Sequence, residues 1–470
     1  METLGQTTSV CGVCRALVPA KVVVEGGVVS FRKFCPEHGE SLQRVHGNVQ
    51  AYLSSQRYVK PAWIPRSFAG DEHAPCPEGC GFCSRHEQHL CMPIIEITSR
   101  CDLACPACLV DAGGAWDMPL DAFGRVLDGL IGAERQVDVL NLSGGEPTRH
   151  PQFLALVDAA LARPEIVRVS VSTNGLRFLE EPGLLRELCA RPAVVALQLD
   201  GFDEQAYVVL RGCKLLDRKR RILDMLANAG ISTSLTMTLA AGLNERQLPA
   251  MLDYLFSHGH VLSLMVQPLA FAGRGAAWAE GARHLSASEV VELLGEAGHP
   301  AVATEDFVPL PCCHPLCFSL ACYLMLDSGR ALSVAQLIKA ATVMDTLANR
   351  AIFGLEAGDQ ARVKELIYEV WSGPAGMAPD NAELLGALRQ LLREVQCSCS
   401  QPRELFVRAE RRLKTIFIHA FQDAGTFDLA RVRRCCNGYP QPDGRVIPAC
   451  VRNVCRPGIA GMDIGPRNTA

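Results

Sequence analysis

Cysteine placement constrains this chain more than any other feature. Of its 22 cysteines, all but Cys189 and Cys213 fall in four groups, at residues 11–38, 76–108, 312–322 and 397–455. The first residues, Met1–Val10, are polar and lack the charged-then-apolar layout of a secretion signal. No run reaches the roughly 18–20 apolar residues of a membrane span. A cytoplasmic, reducing compartment is therefore expected. There, grouped cysteines read as ligands of metals or clusters before they read as disulfides.

The quiet stretch between the groups carries the fold signal. Short aliphatic runs at Ile94–Thr98, Val137–Leu142, Val167–Ser172, Val194–Leu199, Ser232–Leu239 and Leu262–Pro268 each end in Gly, Pro or polar turn residues. Amphipathic segments lie between them, including Leu120–Ala133, Pro151–Ala162, Leu184–Cys189 and Arg218–Ala229. Alternation of this kind implies an α/β fold with a parallel sheet and right-handed crossovers. Six strands fit a partial (β/α)6 barrel better than a closed eight-strand one. Residues 330–430 read as mainly helical, with helices expected at Ala331–Leu347, Asn381–Val395 and Arg403–His419. The expected domains are 1–60, a metal ribbon; 61–93, a cysteine-rich segment; 94–311, the (β/α)6 core; and 312–470, a helical, cysteine-rich extension.

With 470 residues, 49% hydrophobic and 20% charged, the chain can bury a sizeable core. A net charge of −4 gives no general attraction to nucleic acid. The basic run Arg218-Lys219-Arg220-Arg221 reads as a solvated helix face.

The sharpest local pattern is Cys101-x3-Cys105-x2-Cys108, in a loop leaving the first expected strand. Three thiolates can hold three irons of a [4Fe–4S] cube and leave the fourth open to a substrate or cofactor. An electron-transfer cluster normally takes four cysteines, and a zinc loop would show paired Cys-x2-Cys knuckles. Upstream, Cys76-x3-Cys80-x2-Cys83 with Cys91 offers four thiols, enough for a closed auxiliary cluster or a zinc ion. Cys11-x2-Cys14 followed by Cys35-x2-His38, with a hairpin turning at Gly26-Gly27 between them, reads as a ribbon for Zn or one iron. His38 is the fourth ligand or a surface histidine beside a three-cysteine site. Downstream, no single spacing makes a site. A set drawn from two groups, Cys312, Cys317, Cys435 and Cys450, is the expectation there, against the alternative of buried apolar cysteines.

The Cys-x3-Cys-x2-Cys loop, Ser143-Gly144-Gly145-Glu146-Pro147 after the second strand, Ser172 and Asn174 after the third and Asp200 after the fourth together resemble the radical S-adenosylmethionine (SAM) superfamily. That resemblance implies SAM at the open iron, contacted by Ser143, Gly144, Gly145, Glu146, Pro147, Ser172, Asn174 and Asp200. It also implies reductive formation of a 5′-deoxyadenosyl radical and a one-electron donor of flavodoxin or ferredoxin type. Adding the ribbon, Gln198-Leu-Asp200-Gly, Leu210-Arg211-Gly212 and Gln267-Pro268 to Gly273-Arg274, the order of motifs is similar to the tetraether lipid synthase family. Its members have also been labelled 7,8-dihydro-6-hydroxymethylpterin dimethyltransferases. This implies carbon–carbon bond formation at an unactivated carbon of a lipid-like substrate, or C-methylation of a pterin-like heterocycle. An iron–sulfur carrier without SAM chemistry is the third possibility, and the three-cysteine loop argues against it.

Overall fold

The computed structural model describes residues 1–58, 64–337 except 74, 78 and 311, 381–395 and 410–455, with single residues at 365, 368, 372 and 407. Cys397 and Cys399 and most of the expected helix Ala331–Leu347 lie outside them.

The N-terminal residues form a four-stranded antiparallel meander, β1 (Glu2–Val10), β2 (Leu17–Glu25), β3 (Val28–Cys35) and β4 (Gly39–His46). Gly26 and Gly27, both at positive φ, make the β2–β3 turn, the geometry that matches strand twist in a two-residue hairpin. Val22, Val29, Phe31 and Val45 bury one face of this sheet.

The six aliphatic runs are the parallel strands β5 (Ile94–Thr98), β6 (Val137–Gly144), β7 (Ile166–Thr173), β8 (Ala193–Gln198), β9 (Thr233–Leu239) and β10 (Val261–Pro268), in sequential order. The sheet does not end where the sequence reading put its boundary. It continues through β14 (Leu413–His419), parallel to β10, then β12 (Phe318–Met325), antiparallel to β14, and β11 (Val308–Pro309). The short β13 (Ala331–Ser333) pairs with β12. Leu413–His419 was expected to close a helix. Its apolar residues Leu413, Ile416 and Phe417 fit a helical stripe, but the alternation of Lys414, Ile416 and Ile418 with Thr415 and Phe417 also fits a strand, and the free edge of β10 decides it. The start of Ala331–Leu347 is likewise strand rather than helix, whereas Asn381–Val395 is a helix as expected.

Register assigns the two faces. Ile95, Ile97, Leu142, Val169, Leu197, Leu235, Leu264 and Ile416 point outward into the main hydrophobic cluster with the crossover helices. The residues between them share the inner face: Glu96 beside Ser143, Asn141 beside Ser170, Gln198 beside Thr236, Ser263 beside Ser234 and Thr415, and Cys322 beside Thr415. Parallel strands covered on both sides usually read as unbroken hydrophobic runs. Here hydroxyls and amides share the inner side with Ala196, Met265 and Phe417. The last described elements, β15 (Gly438–Pro440), β16 (Val446–Pro448) and the helix Ala449–Cys455, lie against that side, with Tyr439, Cys450 and Phe421 packed on Ile94 and Leu109.

Candidate active site

The loop after β5 carries Cys101, Cys105 and Cys108, all half-buried. Two glycines fix where it sits. A Cβ on Gly145 would stand 2.1 Å from the Arg100 carbonyl, and one on Gly144, at φ +125°, 2.2 Å from that of Thr98. Their closeness lets Gly145 N–H bond to Thr98 O (2.8 Å) and Glu146 N–H to Arg100 O (2.7 Å). Much of the Gly-Gly-Glu motif is thus spent on the cysteine loop itself. The Glu146 carboxylate accepts from Thr148 N and Oγ1, Thr173 Oγ1 (2.6 Å) and Asn174 N (2.7 Å), and ties the ends of β6 and β7 together. Asn174 donates to Asp102 (2.5 Å), which also takes Arg149 at 2.8 Å. Ser172 donates to Asn141 on the inner face, where Ser143 is half-buried, and Pro147 begins the short turn that follows.

Asp200 plays a different part from the expected cofactor contact. It is fully buried and saturated by the chain's own donors: Arg211 through both oxygens (2.6 and 2.7 Å), Thr238 N–H (3.0 Å) and the Gln198 amide. Arg211 in turn donates to the Cys105 sulfur and to Thr238 Oγ1 (2.9 Å). Asp200 therefore positions a guanidinium against the Cys105 thiol. Burial pushes Cys101 up to about 12 and raises Cys105, with Arg211 opposing at Cys105. Thiolates here need a bound cationic group to hold their charge, as cluster irons do. Lys219, placed by sequence on a solvated face, is fully buried. It continues the helix stripe of Leu215, Ile222 and Leu226, and its Nζ bonds Asn174 O (2.7 Å) and Gln198 O (2.6 Å).

The ribbon ligands converge. Cys11, Cys14, Cys35 and His38 offer donor atoms all within 4.8 Å of one another. His38 Nδ1 is 3.7 Å from Cys11 Sγ and 3.5 Å from Cys35 Sγ, and Cys14 Sγ is 3.8 Å from Cys35 Sγ. A tetrahedral ion at about 2.3 Å from sulfur and 2.0 Å from nitrogen spaces its ligands by about 3.5–3.8 Å, so this donor set fits one ion.

The other cysteines regroup. Cys91 does not stay with Cys76, Cys80 and Cys83. Its sulfur is 3.0 Å from Cys312 Sγ, and Cys436 completes a buried trio with them. Cys312 accordingly leaves the set expected with Cys317, Cys435 and Cys450. Those three remain together around an enclosed void, also lined by Cys313, Cys436, Arg431 and His419. Arg431 donates to Cys317 Sγ (3.4 Å) and the Gln422 N–H to Cys450 Sγ (3.3 Å). Cys313 stands between the two trios, near Cys91, Cys317, Cys435 and Cys436. Cys80 is buried in an apolar cluster where Cys76 and Cys455 pack, which makes Cys455 a candidate companion that spacing did not reveal. The usable signal for the two trios was the pair of doublets, Cys312-Cys313 and Cys435-Cys436. One residue of the second doublet faces each trio.

The radical SAM superfamily matches residues 95–255, and the HMPTM N-terminal zinc ribbon domain matches 3–47. The 7,8-dihydro-6-hydroxymethylpterin dimethyltransferase of Methanocaldococcus jannaschii is 25% identical over 474 residues, covering 95% of this chain and 93% of the relative. The mycofactocin maturase MftC of Mycobacterium tuberculosis is 32% identical over 42% of this chain and 49% of its own. The GTP 3′,8-cyclase of Chlorobaculum tepidum is 27% identical over 43% and 60%. Among solved structures, Streptococcus suis SuiB bound to its precursor peptide overlaps 44% of this chain and 45% of its own, at TM-score 0.38 and 16% identity.

Proposed function

We propose that this chain, a radical SAM enzyme with an N-terminal zinc ribbon, is a C-methyltransferase of a pterin-like heterocycle. The observation that carries the reading is the inner face of the sheet. From β5 to β12 it presents Glu96, Asn141, Ser143, Ser170, Ser172, Gln198, Ser234, Thr236, Ser263 and Thr415. Such a surface, in which Ser172 bonds Asn141 and Ser234 bonds Ser263, offers further hydrogen-bonding capacity to a flat polar ring system. The full-length relative named for a pterin supports the same choice.

In this reading Cys101, Cys105 and Cys108 hold the catalytic [4Fe–4S] cluster. Together with SAM, that cluster would supply the hydrogen-atom abstraction needed to open an unactivated C–H bond to methylation, a second SAM being the methyl source. The chain's own groups arrange the encounter. Gly144 and Gly145 let the cysteine loop lie against the end of β6, Glu146 and Asn174 brace it from β7, and Arg211 bonds Cys105 from the far side. Ser143 and Ser172 lie on the inner face near the ends of β6 and β7. The Cys91, Cys312 and Cys436 trio and the Cys317, Cys435 and Cys450 trio would hold auxiliary clusters, which would supply one-electron transfer.

The test is anaerobic turnover of the reconstituted enzyme with dithionite, SAM and 6-hydroxymethyl-7,8-dihydropterin, followed by mass spectrometry. A product heavier by one or two methyl groups, formed with 5′-deoxyadenosine, is expected. 5′-Deoxyadenosine without methylated heterocycle, alongside coupled products from lipid substrates, would overturn the reading.

A further inference from the structure

The void beside Cys317, Cys435 and Cys450 has a fixed positive charge in its wall. Arg431 belongs to the helix Leu429–Arg433 and is 5% exposed. Its Nε donates to Cys317 Sγ (3.4 Å), and its Nη2 donates to the carbonyls of Ala420 (2.9 Å) and Leu316 (3.3 Å). Among the described residues no carboxylate bonds this guanidinium. Asp428 acts on it from a distance, with its own Oδ1 taken by Thr7 and by the Ala430 N–H. On its other side Arg431 borders an open cleft lined by His46, His284 and Phe421.

A wall needs no charge. Apolar side chains of similar volume would seal the void as well or better, and a buried charge without a counter-ion is costly. Neutral thiols do not supply the counter-ion, and burial raises Cys317, Cys435 and Cys450. An iron–sulfur cluster on their thiolates carries net negative charge and does supply it. The donor set and the lone guanidinium thus fit the same anionic group. The other trio is built differently. Cys91, Cys312 and Cys436 are at most 1% exposed and pack with Leu310, Phe318 and Leu320. Among the described residues their sulfurs bond one another and Cys313, and no arginine or lysine bonds them.

We propose that Arg431 sets the reduction potential of the cluster at Cys317, Cys435 and Cys450 and makes it the higher of the two trio centres, an inference that rests on the auxiliary-cluster reading above. Reduction adds one electron to the cluster and makes or breaks no bond. A fixed cation against one of its sulfurs stabilises the added charge, and more strongly in a dry interior than in water. Hydrogen bonds to cluster sulfurs act in the same direction, and the Gln422 N–H on Cys450 Sγ (3.3 Å) is one more. An electron from the one-electron donor therefore comes to rest at the Arg431 centre rather than at its neighbour.

The experiment is an anaerobic redox titration of the cluster-loaded full chain, read by EPR, with dithionite and, below its range, a Eu(II) chelate. The wave that Cys450→Ala removes belongs to the Arg431 centre, and the wave that Cys312→Ala removes belongs to the other. In the wild type the first is expected at the higher potential. Arg431→Met should lower it, so that the ratio of reduced to oxidised cluster at a fixed potential falls by about tenfold or more, tenfold being about 59 mV for one electron. The second wave should stay in place. Arg431→Lys keeps the charge and should keep most of the difference. Iron content checks that each Arg431 variant retains its clusters. A wild-type first wave at or below the second overturns the inference, with no change at Arg431 needed. A first wave that does not move in iron-replete Arg431→Met overturns it too, and in both cases the auxiliary-cluster reading survives. Cys450→Ala that keeps its full iron and every wave overturns that reading and this inference with it.

Discussion

At the residue scale, the cysteine loop was legible as a pattern because its three cysteines lie within eight residues. Its support was not. Glu146 meets Thr173 and Asn174 across 27 and 28 residues, and Asn174 meets Asp102 across 72. Spacing carries no trace of such contacts. Leu210-Arg211-Gly212 was visible as a motif, yet only the fold reveals that Arg211 links Asp200 to Cys105. That link separates two roles. Arg211→Met leaves the fully buried Asp200 carboxylate without its counter-charge, an error worth about 3–5 kcal/mol. Replacing both, Arg211→Met with Asp200→Leu, removes the stranded charge and should recover most of the melting temperature. The bond to Cys105 stays lost in both variants. If Arg211 positions the loop, 5′-deoxyadenosine formation stays depressed in the double variant although stability returns. Recovery of both together would make Arg211 a purely structural partner. Cys105→Ala should abolish 5′-deoxyadenosine outright.

At the element scale, the six parallel strands were readable to within two residues at each end because each is a short aliphatic run closed by a turn signal. β14 was missed because a seven-residue run cannot separate the two periods, and only the open edge of β10 selects one. The basic run in the helix Leu216–Ala229 misled for a different reason: charge was counted without phase. Lys219 falls on the buried stripe, where it ties the ends of β7 and β8. Burial lowers it to about 7, and burial likewise lowers Lys33 and Lys414 to about 8. All three would be protonated in the unfolded chain up to about pH 10.4. At these three sites the unfolded state thus binds more protons above pH 7, and the stability they contribute rises with pH there. Lys219 contributes at most about 1.4 kcal/mol per pH unit, nearly all of it present by pH 8.5. Lys219→Met should therefore flatten the rise in unfolding free energy between pH 7 and 8.5, measured by anaerobic urea melts. An unchanged slope would mean that the ammonium stays charged among its carbonyls.

At the scale of the whole molecule, the cysteine groups were visible in sequence but their partnership was not, because the chain crosses between groups as it closes over the sheet. Cys91 and Cys312 are 221 residues apart and their sulfurs 3.0 Å. If the two trios hold separate centres on this side of the sheet, the consequence is countable. Cys436→Ala and Cys450→Ala should each remove about four irons, and the double variant about eight. The cluster at Cys101, Cys105 and Cys108 should keep its SAM-dependent EPR change in all three. If the double variant loses no more iron than either single one, the two trios serve one cluster.

The ribbon reaches the same region from the other end of the chain. Lys33 Nζ donates to Ala424 O (2.8 Å) and Gly425 O (2.6 Å), Ser9 Oγ to Phe427 O (2.5 Å) and Thr7 Oγ1 to Asp428 (2.6 Å). Arg44 meets Glu289 at 2.5 Å and the His284 carbonyl at 2.9 Å. Ser9 and Lys33 flank Cys11 and Cys35 on β1 and β3, so the metal that fixes those strand ends also fixes the clamp. Residues 424–428 lead directly into Cys435 and Cys436. Small metal ribbons fold on their ion, so loss of the ion should loosen this clamp before it disturbs the parallel sheet. Cys14→Ala, which leaves the clamp residues untouched, is expected to release the ribbon metal and to raise amide hydrogen exchange across 424–433. Exchange in β6 to β9 should stay at the wild-type level. Iron bound at the Cys317, Cys435 and Cys450 group should become easier to strip with a chelator, while iron at the catalytic loop should not. Unchanged exchange at 424–433 in a metal-free ribbon would show that the clamp holds without its ion and that the two ends of the chain are coupled by side chains alone.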